Sequence, residues 1–283
     1  MSLIAQNWIK QLWQLKHFYT PFALPVSADM TNLHRVDDTY ICSKKSDGER
    51  CAILFCWHDD TNYVYKINRK NKITLLFEDR IINSHVPVDD ESLFDGTLVD
   101  AEDMGHNSYI AFDCMAYEGF DMKNKPFIER IKVLNRICSN MIVNMAPKVW
   151  VEVDLIRDLE KDEHESDGII FAKKYTAMAR NQDRSMLKWK RRHTVDLLIE
   201  DNHAFANSPE GKPQKLSYRV TREYKKGIYE CELGEGNQLV VLKERHDKSQ
   251  PNQYSTIRRT LKSASLNPSY QELVCIIKSN QHS

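Results

Sequence analysis

From Thr39 to Val99 the chain runs in short apolar stretches, and turn residues break each of them. Cys51–Trp57, Tyr63–Asn68 and Lys72–Phe77 alternate or run apolar, with Asp59-Asp60-Thr61-Asn62 and Arg69-Lys70-Asn71 between them. A period of two puts successive side chains on opposite faces of a sheet and does not fit a helix. Tyr109–Tyr117 predicts a further strand. Ile128–Asn144 differs: Ile131, Leu134, Ile137, Cys138 and Met141 recur at helical spacing. Short strands are expected at Val149–Val153, Gly168–Lys173 and Met186–Lys190, with a helix at Asp154–Glu160. After His193, the segments Val195–Glu200, Leu216–Thr221, Ile228–Leu233 and Leu239–Lys243 are joined by turns rich in Asn, Ser, Pro and Gly. That texture is a small β-barrel. Ala5–Tyr19, Tyr254–Ser263 and Tyr270–Lys278 read as helices. The pattern as a whole is α+β, without an internal repeat or a low-complexity segment.

The 283 residues, 41% hydrophobic and 28% charged, suit one large or two smaller domains with a proper core. No run of about 18 apolar residues offers a membrane span, and the N-terminus carries no secretory pattern. Seven cysteines without a Cys-x-x-Cys pair argue against a disulfide framework and a zinc site. An intracellular, reduced protein is expected. The formal charge is zero, so a nucleic-acid contact has to come from local patches such as Lys188–Arg192 or Lys212–Lys226.

Chemistry concentrates in a few strings. Lys45-Ser46-Asp47-Gly48-Glu49-Arg50 lies between two apolar runs and reads as a strand-turn-strand corner. Gly48 is expected to supply a positive φ, and a deprotonated Lys45 there can attack phosphorus. Lys44 competes for that role. Only Lys45 stands two before Asp47, and strand neighbours face opposite sides. Further along come Phe94-Asp95-Gly96-Thr97-Leu98-Val99, Ile110-Ala111-Phe112-Asp113-Cys114, Ser166-Asp167-Gly168-Ile169-Ile170-Phe171, Leu187-Lys188-Trp189-Lys190 and Lys243-Glu244-Arg245-His246-Asp247-Lys248. Lys188 and Lys190 share a strand face, and Trp189 points the other way. Each string alone is compatible with an ordinary turn, core strand or solvated edge. Together they are the inventory of nucleotidyl transfer: a lysine nucleophile, an aromatic face for a base, an arginine fork for ribose, and cations for a departing pyrophosphate.

In this order the strings resemble the covalent nucleotidyltransferase superfamily of polynucleotide ligases and mRNA capping guanylyltransferases. The capping enzymes are the nearer match. Leu24-Pro25-Val26-Ser27-Ala28-Asp29-Met30 looks like the segment before their nucleophile strand. Lys188-Trp189-Lys190 with Thr194-Val195-Asp196 is similar to their fifth motif, and Arg245 to Asn252 to their sixth. The resemblance implies a nucleotidyltransferase domain over residues 1–193 and an OB-fold over 194–265. It also implies a C-terminal helix, 266–283, that returns to the first domain. It further implies that Lys45 takes GMP from GTP as a covalent lysyl-GMP and passes it to the 5′-diphosphate end of RNA, with Mg2+ or Mn2+ as cofactor. Arg50 would contact ribose, Phe112 stack on guanine, and Lys188 and Lys190 bind near the α-phosphate. Asp167 belongs to the catalytic set, Arg69 sits at a functional arginine's place, and Lys148 matches a lysine that reads guanine. Closure of the OB-fold would bring Arg245, Asp247 and Lys248 onto the β- and γ-phosphates.

The family's third motif ends in glutamate, and the matching position here is Thr97. Strand parity gives Asp95 the face of Thr97 and turns Asp100 and Glu102 away, so Asp95 or Asp113 is the expected metal ligand. Lys243 replaces a frequent arginine. An ATP-dependent RNA or DNA ligase and a catalytically silent RNA-end-binding relative are the alternative readings. RNA triphosphatase and cap methyltransferase are expected as separate proteins. The phosphorylated tail of RNA polymerase II is a family partner that no motif here decides. The implied location is the nucleus, or the cytoplasm for a viral enzyme, with no membrane association.

Overall fold

In chain order the first part runs α1 (Ser2–Trp13), β1 (Phe22–Pro25), β2 (Tyr40–Ser46), β3 (Glu49–His58), β4 (Thr61–Asn68), β5 (Ile73–Arg80), β6 (Thr97–Asp103), β7 (Tyr109–Tyr117) and β8 (Phe120–Asp121). Then follow α2 (Phe127–Cys138), β9 (Met145–Pro147), β10 (Val151–Glu152), β11 (Ser166–Lys173) and β12 (Gln182–Lys190). The chain ends with β13 (Thr194–Glu200), β14 (His203–Asn207), β15 (Pro213–Val220), β16 (Gly227–Leu233), β17 (Gln238–Glu244), α3 (Tyr254–Ser265) and α4 (Tyr270–Asn280). The structure, a computed structural model, describes residues 2–13, 22–26, 30–80, 88–139, 142–161, 166–179, 182–220, 222–233 and 238–281. Two compact units emerge. One gathers the chain up to Leu24, Val36–Lys188 and the residues from Ile277; the other gathers Pro25–Arg35 and Trp189–Ile276.

The first unit holds two sheets. One has the order β5-β4-β3-β6-β7-β8, with β9 added in parallel to β7; the other has the order β1-β12-β11-β2-β10. Strand β3 is buried on both faces, which is why Cys51–Trp57 reads as a continuous apolar run. Ile53 and Phe55 join Val99, Leu134 and Ile137 in one core cluster. Ala52 and Leu54 point the other way, into a cluster with Ala5, Ile9 and Leu12 of α1. Helix α2 serves both sheets. Leu134 and Ile137 face the first, while Phe127 and Ile131 pack with Ile41 and Ala172 of the second. Truncating such a buried leucine to alanine costs about 2–5 kcal/mol.

The second unit contains a closed five-stranded barrel in the order β13-β14-β15-β17-β16, with β15 and β17 parallel. This is the OB-fold expected from the sequence. Val195, Leu197 and Ile199 alternate into its core with Tyr229, Cys231 and Leu239, and Ile257 of α3 joins them.

Several elements differ from the sequence expectation. Helix α2 stops at Cys138, where the backbone N–H of Ser139 donates to the carbonyls of Arg136 and Ile137. Ile142 and Val143 pack on the core beyond it, leading into β9. Val153–Lys161 is a 3-10 helix in place of an α-helix, and the strand before it shrinks to Val151–Glu152. Strand β14 falls where turns were expected, because its inward residues, Ala204 and Ala206, carry little apolar signal. Residues 14–19 of the expected first helix lie outside the described residues.

Candidate active site

The Lys45–Arg50 corner leads from β2 of one sheet to β3 of the other, so it stands where the two sheets meet along the chain. Gly48 does not need a positive φ there. A Cβ at Gly48 would lie 2.7 Å from the Asp103 carbonyl oxygen and 2.8 Å from Met104 Sδ, so the close approach of β6 demands glycine. Lys45 pairs with Gly168 in the β2–β11 ladder, which slips between Ser166 and Gly168. Such a bulge re-aims one side chain, and Asp167 is the residue it carries. Asp167 Oδ1 lies 2.7 Å from Lys45 Nζ, and the two side chains keep 20% and 27% of their surface exposed. The amine is therefore held by a carboxylate yet reachable from solvent.

Two more groups close around this pair. Lys148 follows β9, donates its backbone N–H to Ala111 O, and reaches over with its side chain. Its Nζ donates to Lys44 O at 2.8 Å and to Ser46 Oγ at 2.7 Å. Glu102 on β6 stands opposite Arg50 in the ladder. Burial pushes the Glu102 pKa up, while Lys148, Lys45 and Arg50 nearby pull it down; burial prevails. Its Oε2 is buried without a hydrogen-bond partner among the described residues. A carboxylate oxygen so placed is costly unless something binds it.

Arg50 donates from Nε to Asp100 Oδ1 at 2.9 Å and from Nη2 to Asp100 Oδ2. Burial works against its charge, but Asp100 holds its pKa above the ordinary arginine value. Its guanidinium lies 5.1 Å from the centroid of the half-buried Phe112 ring. Arg69 is exposed at the β4–β5 turn, and its charge acts on Asp100. Lys188 and Lys190 stand half-buried on β12, with Leu187 and Trp189 buried on its other face. Strand β12 neighbours β11, the strand of Asp167.

The expected acidic ligands are corrected by this geometry. Asp95 is exposed at the end of the 3-10 helix Val88–Asp95 and is not part of β6. Thr97 is fully buried, and its hydroxyl accepts from the backbone N–H of Glu118. Asp113 is buried too and fully engaged by Arg130, whose Nε and Nη2 lie 2.7 and 3.0 Å from its two oxygens. Strand parity does turn Asp100 and Glu102 away from Thr97, and theirs is the face that meets Arg50, whereas Thr97 is buried on the other face.

The remaining cations belong to the barrel unit. Arg245 makes a fork on Asp247, with both N···O distances 2.9 Å, and its Nη1 donates to Asp196 Oδ1 at 3.0 Å. Lys248 lies 3.9 Å from Asp196 Oδ2, and Lys243 lies 3.3 Å from Glu230. The hydrogen-bonded fork of Arg245 draws the Asp247 pKa well below the usual carboxylate range. Burial pushes Asp196 up despite Arg245 and Lys248.

Two sequence profiles match the chain. That of the mRNA capping enzyme catalytic domain matches residues 3–155, and that of the capping enzyme C-terminal domain matches residues 152–274. The chain belongs to the mRNA capping enzyme family. It is 24% identical over 323 residues to the mRNA-capping enzyme subunit alpha of Schizosaccharomyces pombe, covering 90% of this chain and 79% of that protein. With the mRNA-capping enzyme of Caenorhabditis elegans it shares 23% identity over 301 residues, covering 88% of this chain and 47% of that protein. This chain thus spans about half the length of the worm relative. Among solved structures, mycobacterial DNA ligase D complexed with ATP and MES is 13% identical, with a TM-score of 0.49 over 81% of this chain and 94% of that one.

Thr97, where the third motif of the capping enzymes has glutamate, begins the strand that brings Glu102 opposite Arg50. Asp100-Ala101-Glu102 has the alternation of any half-solvated strand, so the sequence carries no separate signal for Glu102.

Proposed function

We propose that this chain is a GTP:mRNA guanylyltransferase. The observation that carries the reading is the Lys45–Asp167 contact of 2.7 Å, made by a bulged strand beside a half-buried corner lysine. In the first step Lys45 Nζ, as the free amine, attacks the α-phosphorus of GTP. A P–N bond forms, the bond to the bridging oxygen breaks, and pyrophosphate leaves with the electron pair. Asp167 fixes the amine and stands within reach of the proton it sheds. In the second step a terminal oxygen of a 5′-diphosphate RNA attacks the same phosphorus. The P–N bond breaks, Lys45 recovers a proton, and guanosine is joined to RNA through a triphosphate.

Phe112 supplies a face for guanine, Arg50 a fork for ribose, and Lys148 a cation anchored to the nucleophile's own strand. Lys188 and Lys190 are assigned to the α-phosphate, with Arg69 beside the ribose side. Arg245 and Lys248 are assigned to the outer phosphates, which must displace Asp247 and Asp196 from them. Among the described residues no group of three or more His, Cys, Asp and Glu gathers as a metal site. Magnesium- and manganese-type sites for nucleotides need fewer protein ligands, because phosphates and water complete the shell. The orphaned Glu102 Oε2 and the Asp167 carboxylate fit that role, and Asp95 and Asp113 do not. Such an ion, when bound, neutralises triphosphate charge.

The test is to incubate the protein with α-labelled GTP or ATP and a divalent ion, then chase with 5′-diphosphate RNA. GTP is expected to label the protein, and the RNA to remove the label as a cap. Labelling by ATP alone would make the chain a ligase. No label from either nucleotide would refute transferase chemistry.

A further inference from the structure

Behind Arg50 lies a second arginine that no substrate contact explains. Asp100 and Asp113 are direct partners across the β6–β7 ladder, and both are buried. Two carboxylates so placed repel each other. Each has its own cation: Arg50 holds Asp100, and Arg130, buried on α2, holds Asp113. Arg130 is itself anchored, because its Nη1 donates to Lys125 O at 2.6 Å and to Thr176 O at 3.2 Å. Four charges thus stand in a row, Arg50, Asp100, Asp113, Arg130, with the two carboxylates between the two cations, starting beside the Phe112 ring.

We propose that Arg130 is a positioning residue for Arg50, the ribose-binding fork of the guanylyltransferase site, and the proposal rests on that reading of the site. By holding Asp113, Arg130 keeps that carboxylate from competing for Arg50 and leaves Asp100 as its partner. Asp100 then fixes the guanidinium plane over Phe112. Without Arg130, two buried carboxylates compete for one cation, and Arg50 is drawn away from its place over the ring.

The experiment compares Arg130→Met with the double variant Asp113→Asn/Arg130→Met, reading lysyl-GMP formation against GTP concentration. For Arg130→Met the KM for GTP is expected to rise about tenfold with kcat within about threefold. The double variant removes the surplus carboxylate and should return KM to within about threefold of the parent. A folded Arg130→Met protein with the parent's KM overturns the proposal. So does a folded double variant whose KM stays tenfold high, which also decides the matter if Arg130→Met does not fold. A readout independent of chemistry is the Arg50 Nε–H resonance, assigned with Arg50→Lys. Its exchange should be slow in the parent and double variant and fast in Arg130→Met. A parent protein that forms no adduct would sink the guanylyltransferase reading and leave that comparison standing.

Discussion

Replacing Glu102 with glutamine should separate activity from stability. Glutamine keeps the shape of the side chain and removes a charge that burial disfavours. Each unit by which a folded carboxyl's pKa is raised withholds about 1.4 kcal/mol at neutral pH. The direction here is upward, so Glu102→Gln is expected to hold or raise stability, by about 2–4 °C in Tm per kcal/mol for a unit of this size. A raised carboxyl pKa weakens the fold only when the group is ionised. The variant's advantage should therefore shrink as pH falls toward about 4.3, the ordinary glutamate value. Activity should move the other way. The orphaned Oε2 beside Lys45 and Lys148 is the group left to be satisfied by ion or nucleotide. Losing one preorganised electrostatic contact of this kind costs about 10²–10³ in rate. Calorimetry from neutral to acidic pH and the rate of GMP labelling measure the two halves. A variant that labels at the parent rate, or whose Tm falls by several degrees at neutral pH, would refute the reasoning.

Other substitutions test neighbouring points. Asp95→Ala is expected to change stability by no more than about 0.5 kcal/mol and to leave labelling within about twofold; a large loss of labelling would reinstate Asp95 as a ligand. Asp113→Ala strands Arg130 in the core and should cost about 3–5 kcal/mol, read by denaturant unfolding, with a cost below about 1 kcal/mol arguing against the buried pair. Gly48→Ala drives a Cβ against the Asp103 carbonyl and should destabilise by about 1–3 kcal/mol; a neutral outcome in the same unfolding assay would mean that β6 yields.

The sequence yielded what depends on one strand or helix at a time. The apolar run of β3, the helical spacing of α2 and the alternation around Trp189 were all visible as local patterns. What depended on two strands together was not. Asp167 owes its aim to a ladder slip, and no single-strand pattern encodes a slip. Strand β14 was hidden by its alanines. The acidic position was misplaced because Asp95-Gly96-Thr97 imitates the Asp-Gly turns before the other strands. Gly96 is left-handed for a separate reason: φ is 104°, and a Cβ there would meet the Trp8 ring at 2.6 Å. The strand register then begins at Thr97 and brings Asp100 and Glu102 to the corner. Arg130 carried no signal at all, since one buried arginine on an amphipathic helix looks like a surface residue until its partner is known.

The most direct measurement is the site of the covalent bond. After incubation with GTP and a divalent ion, peptide mapping by mass spectrometry should find GMP on Lys45 alone, and Lys45→Ala should carry none while Lys44→Ala still does. GMP on Lys44 or Lys148, or an adduct that survives Lys45→Ala, would contradict the account.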